Sequence, residues 1–237
     1  MTAPGRLRVW LKRAAIAIGL AFLATQLWFL GCVVYWKWQN PGMTAFMQED
    51  RARVEKLAPG KTARPQQHVW VDYAHISSNL KRAVITSEDA RFITHDGVDW
   101  DAMGRAYELN LHRGHASHGG STITQQLAKN LFLTPKRSYW RKAQELLITF
   151  MIEACWNKKR ILEVYLNVVE WGDGIYGAEA GARHYFGVAA AALDAEQAAR
   201  MAAMLPNPRF FDRHRDVPYL DQRAQSIERY EGYAQIP

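Results

Sequence analysis

The chain has 237 residues, a formal net charge of +7 and two cysteines, which leaves room for a membrane anchor and one sizeable core. Arg6, Arg8, Lys12, Arg13 and Lys37 meet no acid within residues 1–37, so residues 38–237 carry only +2. No Lys/Arg-rich run with interleaved aromatics follows, which excludes a nucleic-acid surface.

Residues 14–36 form an uncharged run of about 34 Å as a helix, enough to cross a bilayer. Trp28, Tyr35, Trp36 and Trp38 gather at its far end like an interfacial belt. A cleaved signal peptide is the rival, but it would end on small residues, so an uncleaved anchor is favoured. The basic residues before the run place the N-terminus in the cytoplasm and the rest of the chain outside. Cys32 lies in this run and Cys155 in a later helix. Both read as small buried hydrophobes, with no disulfide and no metal spacing anywhere.

Asn40-Pro41-Gly42 breaks the chain, and residues 44–57 have amphipathic helical character. Residues 58–67 read as a linker, and His68 to Tyr73 as a short strand or extended lead-in. A helix is expected over 76–86, with Ser87 capping a second short helix that contains Glu88, Asp89, Phe92 and His95. In that helix Glu88, Phe92 and His95 share a face, and an acid beside an aromatic wall and an imidazole would make a site where the carboxylate's pKa is raised. The plainer account is a helix start whose acids favour the macrodipole and whose Phe is core. Ser78-Asn79-Leu80-Lys81 matches the S-x-x-K pattern of penicillin-binding acyl enzymes, but without its companion motifs it reads as a chance match on a helix surface.

Residues 98–118 turn polar and read as a flap; His112, His115 and His118 lack zinc-motif spacing. Gly119-Gly120-Ser121-Thr122 then opens a helix, with Thr122 and Gln125 at capping-box spacing. Free N–H groups at that terminus would favour a phosphate, with Lys129 nearby as a point charge. The alternative is an ordinary capped helix ending before Pro135. A long helix opens near Arg137, with Leu146, Leu147, Phe150, Met151 and Ala154 as its apolar stripe and Arg141–Glu145 as a surface i, i+4 pair. Further helices are expected over 158–167, 178–186 and 194–205, with a glycine-rich loop at 171–174 and an irregular tail.

Five blocks in fixed order make the pattern specific. They are Glu88-Asp89-x-x-Phe92-x-x-His95-x-Gly97, Gly119-Gly120-Ser121-Thr122-Ile123-Thr124-Gln125-Gln126-Leu127-x-Lys129-Asn130, Arg141-Lys142-x-x-Glu145, Lys159-x-Ile161-Leu162-Glu163-x-Tyr165-Leu166-Asn167, and Tyr185-Phe186-Gly187. Spanning residues 84–208, they resemble the peptidoglycan glycosyltransferases of family 51, in particular the monofunctional, membrane-anchored members. The resemblance implies a mainly α fold: a lysozyme-like helical lobe with a smaller mobile lobe dipping into lipid, behind one N-terminal transmembrane helix. It divides the chain into a cytoplasmic basic flank (1–13), the transmembrane helix (14–36), a membrane-proximal segment and linker (37–67), a glycosyltransferase domain (68–208) and a C-terminal tail (209–237).

What the resemblance implies chemically is polymerisation of lipid II into β-1,4-linked glycan, with inversion and release of undecaprenyl pyrophosphate. Glu88 takes the family's general-base position and Glu145 that of its second glutamate, which helps place the donor diphosphate. Lys129 and Arg137 match residues facing the pyrophosphate. Asp89, Phe92, His95, Ser121, Thr122, Gln126, Asn130 and Arg141 are assigned to substrate binding. No metal ligand is assigned, although a divalent cation, magnesium or manganese, is one way the family's second glutamate could act. The implied location is a bacterial inner membrane with the catalytic domain periplasmic. Implied partners are the growing glycan, the bilayer, penicillin-binding proteins and the division or elongation machinery. With 31 residues after Pro206, no transpeptidase domain is expected. A lytic transglycosylase or muramidase, or a non-catalytic cell-wall scaffold, stays open as the alternative. The former has no pyrophosphate to neutralise, and the latter would be expected to lose Glu88 or Lys129.

Overall fold

The computed structural model describes residues 3–56, 65–113, 120–136 and 138–237, with the side chains of 3–7 and 110–113 left out. The chain forms two units, residues 1–40 and 41–237. The first is a single helix, α1 (Ala3–Tyr35), so helical structure begins in the basic flank instead of at residue 14. Within it, Arg8–Tyr35 is long and apolar enough to cross a membrane.

The second unit is mainly helical. After α2 (Ala45–Glu55), capped by Thr44, strand β1 (Gln67–His68) precedes a 3-10 turn over Tyr73–His75. Then come α3 (Ser78–Glu88), α4 (Trp100–Arg113), α5 (Ile123–Phe132), α6 (Tyr139–Cys155) and α7 (Lys158–Val168). A hairpin of β2 (Glu170–Gly172) and β3 (Ile175–Tyr176) leads into α8 (Ala178–Phe186), α9 (Ala195–Met204), α10 (Pro208–Arg213) and α11 (Pro218–Glu231). The strands form one small sheet in the order β1-β3-β2, β1 parallel to β3 and β2 antiparallel to it. The stretch expected as a glycine-rich loop is therefore the hairpin, whose Trp171, Ile175 and Tyr176 are fully buried.

The core sits around α5 and α7. Ile123, Leu127 and Ala128 on α5 are fully enclosed, as are Ile161, Leu162, Val164, Tyr165, Leu166 and Val168 on α7. Helix α5 packs on α2, α6 and α7, while α3 packs on α9 and α11. Small residues let α9 come close: Ala198, Ala199, Ala202 and Ala203 are fully buried. At Gly177, φ is +84° and a Cβ would lie 2.7 Å from the Asn167 carbonyl oxygen, so only glycine lets α8 start against the end of α7.

Five local expectations are corrected. The helix of the Glu88 stretch does not start at Ser87: Ser77 caps α3 by accepting from Leu80 N, and the helix runs through Glu88 to a break at Asp89. Residues 100–113 of the expected flap are helical, and 114–119 lie outside the described residues. The apolar stripe drawn on α6 faces outward, with Leu147 40% and Phe150 45% exposed; the buried face carries Glu145, Ile148, Thr149 and Ile152. The tail contains α10 and α11, each started by a proline at its first turn. Lys81 of the S-x-x-K match is buried, donates to the Ile76 carbonyl at 2.6 Å and lies over the Tyr73 ring. The linker at 58–67 falls mostly outside the described residues, and Cys32 and Cys155 are free and half-buried.

Candidate active site

Two neighbouring carboxylates leave α3 in opposite senses because the helix stops between them. Asp89 turns inward with φ −164° and ψ 71°. Its Oδ1 lies 2.8 Å from His95 Nε2, and its Oδ2 accepts from the Ile123 backbone N–H at 3.1 Å. A carboxylate of the protein thus occupies the α5 N-terminus that was expected to attract a phosphate. Thr122 and Gln125 complete a capping box there, and the Thr122 hydroxyl donates to Gly97 O at 2.6 Å. Gly97 has φ +87°, and a Cβ on it would come within 2.7 Å of Thr149 Cγ2, so the chain can turn under α5 only with glycine.

Phe92 is fully buried and His95 nearly so. Lys158 bridges this layer, donating to His95 O at 2.6 Å and to Glu153 Oε1 at 2.8 Å, with its ammonium 4.8 Å from the centre of the Phe92 ring. Phe92 and His95 pack behind the cleft wall, while the buried Asp89 and Thr122 also line the cavity into which Glu88 opens. Asn130 is likewise buried on α5.

Glu88 points into the cleft. Its Oε2 accepts from Gln126 Nε2 at 2.8 Å, and Ser87 Oγ donates to its Oε1 at 3.1 Å. Arg223 Nη2 stands 3.8 Å from the same Oε1. The buried Tyr165 hydroxyl donates to Gln126 Oε1 at 3.0 Å. Burial, followed by the negative charges of Glu88 and Asp89, raises the Tyr165 hydroxyl well above its ordinary range, so it stays a donor. That settles which way the Gln126 amide faces, and its NH₂ is directed at Glu88. Gln126 and Ser87 thus each direct a donor at one oxygen of Glu88. Glu88 opens into a cavity of about 240 Å³ that Ser87, Arg91, Arg105 and Ser121 also line.

Across Ser121 lies a second cavity of about 380 Å³, lined by Phe46, Ser121, Gln126, Lys129, Pro135, Arg141, Lys142 and Glu145. Three cations face one carboxylate there. Glu145 is 3% exposed and bonded at both oxygens, by Arg141 Nη1 at 2.7 Å and Lys142 Nζ at 2.5 Å. The pair expected on the surface is therefore part of a triad around a buried Glu145, with Arg141 half-buried and Lys142 43% exposed, and losing both cations would strand the carboxylate. Lys142 also donates to Ser121 Oγ at 3.0 Å. Lys129, whose ammonium lies 5.5 Å from the centre of the Phe46 ring, has no ion pair among the described residues. Burial lowers its pKa, and the cations Arg141 and Lys142 lower it further, against the pull of Glu145 and Glu88. Anionic ligand would restore the balance. Arg137 lies outside the described residues.

The structure thus brings Glu88, Gln126, Ser121, Lys129, Arg141 and Glu145 together. Sequence reasoning left Ser87, Lys142, Tyr165 and Arg223 unassigned. Lys142 and Tyr165 stood within quoted motif blocks, and Lys142 is three residues from Glu145. Arg223, 136 positions from the Ser87 it touches, carried no local signal.

The site in this mainly helical unit is thus a carboxylate held by two donors beside a pocket with three cationic side chains. A family model described as Transglycosylase matches residues 55–230. The chain is 51% identical over 228 residues to a protein of Laribacter hongkongensis named biosynthetic peptidoglycan transglycosylase, covering 96% of this chain and 99% of that one. Proteins of the same name from Chromobacterium violaceum and Janthinobacterium sp. (strain Marseille) are 50% identical over 221 residues and 53% identical over 218. These alignments cover 93% and 92% of this chain, and 96% and 93% of the relatives. The chain belongs to the transglycosylase family.

Proposed function

We propose that the chain is a peptidoglycan glycosyltransferase that polymerises lipid II into β-1,4-linked glycan with inversion, releasing undecaprenyl pyrophosphate. The observation that carries this reading is the pairing of Glu88, held as an acceptor by Gln126 and Ser87, with the Lys129–Arg141–Lys142 pocket across Ser121. Glu88 takes the proton of the acceptor's 4-hydroxyl as that oxygen attacks the anomeric carbon of the donor. Attack and departure on opposite faces of the sugar turn an α-linked glycosyl pyrophosphate into a β-glycoside in one displacement. Negative charge builds on the leaving pyrophosphate, and cations fixed in advance at that point lower the barrier.

Glu145 acts in this scheme by holding Arg141 and Lys142 toward the pocket. This role is given to Glu145 in preference to holding a divalent cation because both its oxygens are bonded to cationic side chains.

Membrane attachment through α1 and a periplasmic domain in a bacterial inner membrane belong to the same proposal, supported by the apolar length of α1 and its basic flank. The outward apolar stripe of α6 fits contact with lipid. Penicillin-binding proteins and the division or elongation machinery are the partners expected with this activity. Incubating purified protein in detergent with labelled lipid II tests the reading. Polymer is expected, whereas fragments released from sacculi with no polymer would establish the lytic alternative. A protein that binds lipid II and transforms neither substrate would establish the scaffold.

A further inference from the structure

We infer that Arg223 of the C-terminal helix α11 is a positioning residue for Glu88, acting through the Ser87 hydroxyl; this rests on the function proposed above. Arg223 Nη2 donates to Ser87 Oγ at 3.0 Å, and Ser87 Oγ reaches Glu88 Oε1 at 3.1 Å. The same Nη2 stands 3.8 Å from that Oε1, and among the described residues this is the contact of each group with an opposite charge. Ser87 has a single hydrogen to give. Its other acceptor, the Ala202 carbonyl, is farther away at 3.3 Å. With Arg223 donating into the lone pairs of Ser87, the hydroxyl hydrogen is free to face Glu88 while Glu88 is ionised. Once Glu88 has taken a proton, the same hydrogen can turn to Ala202 O without leaving its place. Arg223 therefore supplies both the orientation of the hydroxyl and a positive charge beside the oxygen opposite the one that Gln126 holds.

The position of this guanidinium is set by packing outside the motif blocks. Leu220, Ala224 and Ile227 are buried on α11, which packs against α3 and α9. Arg200 on α9 fixes the approach to α11 by donating to Asp221 Oδ1 at 2.6 Å and to the Arg215 carbonyl at 2.6 Å. The α11 segment is thus part of the catalytic apparatus as well as of the core.

The test compares Arg223→Gln, Arg223→Lys, Ser87→Ala and Arg200→Gln in full-length protein, reading kcat and KM for lipid II together with melting temperature. Displacing a base by a fraction of its reach costs about 10²-fold, so Arg223→Gln is expected to lose that much kcat with KM nearly unchanged. Arg223→Lys keeps the charge and one donor and is expected to return to within about tenfold of wild type. Ser87→Ala should fall between the two. Arg200→Gln, which loosens the helix that carries Arg223, should lower the melting temperature and cost less kcat per folded molecule than Arg223→Gln does. Arg223→Gln with wild-type kcat per folded molecule would overturn the inference, as would a loss of kcat in Arg200→Gln equal to that in Arg223→Gln. If Arg223→Gln does not fold, Ser87→Ala with full kcat overturns it. A wild-type protein that makes no polymer rejects the proposed function instead, so the two failures are told apart.

Discussion

At the scale of single residues, the site separates groups that need charge for chemistry from groups that need it for structure. Glu88 belongs to the first kind: all three of its polar partners are donors directed at it. Glu88→Gln keeps the shape and hydrogen-bonding reach of the side chain. It should therefore lose about 10²–10⁴ in turnover while the melting temperature and lipid II binding stay near wild type. Near-normal turnover would reject Glu88 as the base. Lys129 makes a sharper case, because burial beside Arg141 and Lys142 disfavours its charge in the absence of ligand. Lys129→Met removes a destabilising charge and strands no carboxylate, so the melting temperature should hold or rise while kcat falls further than binding weakens. A variant less stable than wild type but fully active per folded molecule would show that Lys129 is structural.

At the scale of elements, Asp89 is where three segments meet. It ends α3, ties down His95 and satisfies the first turn of α5. Asp89→Asn leaves an oxygen for one of these bonds but cannot serve both as well, and a buried partner left short of its hydrogen bond costs about 1–3 kcal/mol. The expected result is a lower unfolding midpoint in urea, with activity lost in proportion to unfolded protein. An unchanged midpoint with lost activity would instead place Asp89 at the substrate. Helices with local signals were legible in the sequence: the capping box of Thr122–Gln125 formed as its spacing required, and α9 formed within the expected 194–205 behind a capping box of Asp194 and Gln197. The α3 boundary was not, since Ser87 is a good cap in isolation and the break after Glu88 is made by bonds to His95 and to α5. The α6 stripe misled for a different reason. Periodicity finds an apolar face but not its neighbour, and this helix buries the face bearing Glu145 against α5. Motif residues such as Glu88, Gln126 and Lys129 were readable as a set, whereas Arg223 reaches them only through the packing of α11.

At the scale of the whole molecule, the chain places its charge unevenly around one apolar helix. Arg6, Arg8, Lys12 and Arg13 precede the apolar stretch of α1, and Trp28, Tyr35, Trp36 and Trp38 mark its other end. Cytoplasmic loops retain such basic flanks, and aromatic rings settle at headgroup depth, so the two ends of the helix are not interchangeable. The substrate of the proposed reaction imposes the same direction, because a polymerase of cell-wall glycan has to meet its lipid-linked donor on the outer side. Protease added to intact spheroplasts should therefore degrade residues 41–237 and leave a membrane-bound fragment containing α1. Reversing the flank by Arg6→Glu, Arg8→Glu, Lys12→Glu and Arg13→Glu together should protect a substantial share of the domain, because the basic residues set the direction of insertion. Full protection of the wild-type domain until lysis would reject this topology. A fully accessible domain released from membranes without α1 would show cleavage after the apolar run, and with it a signal peptide in place of the anchor.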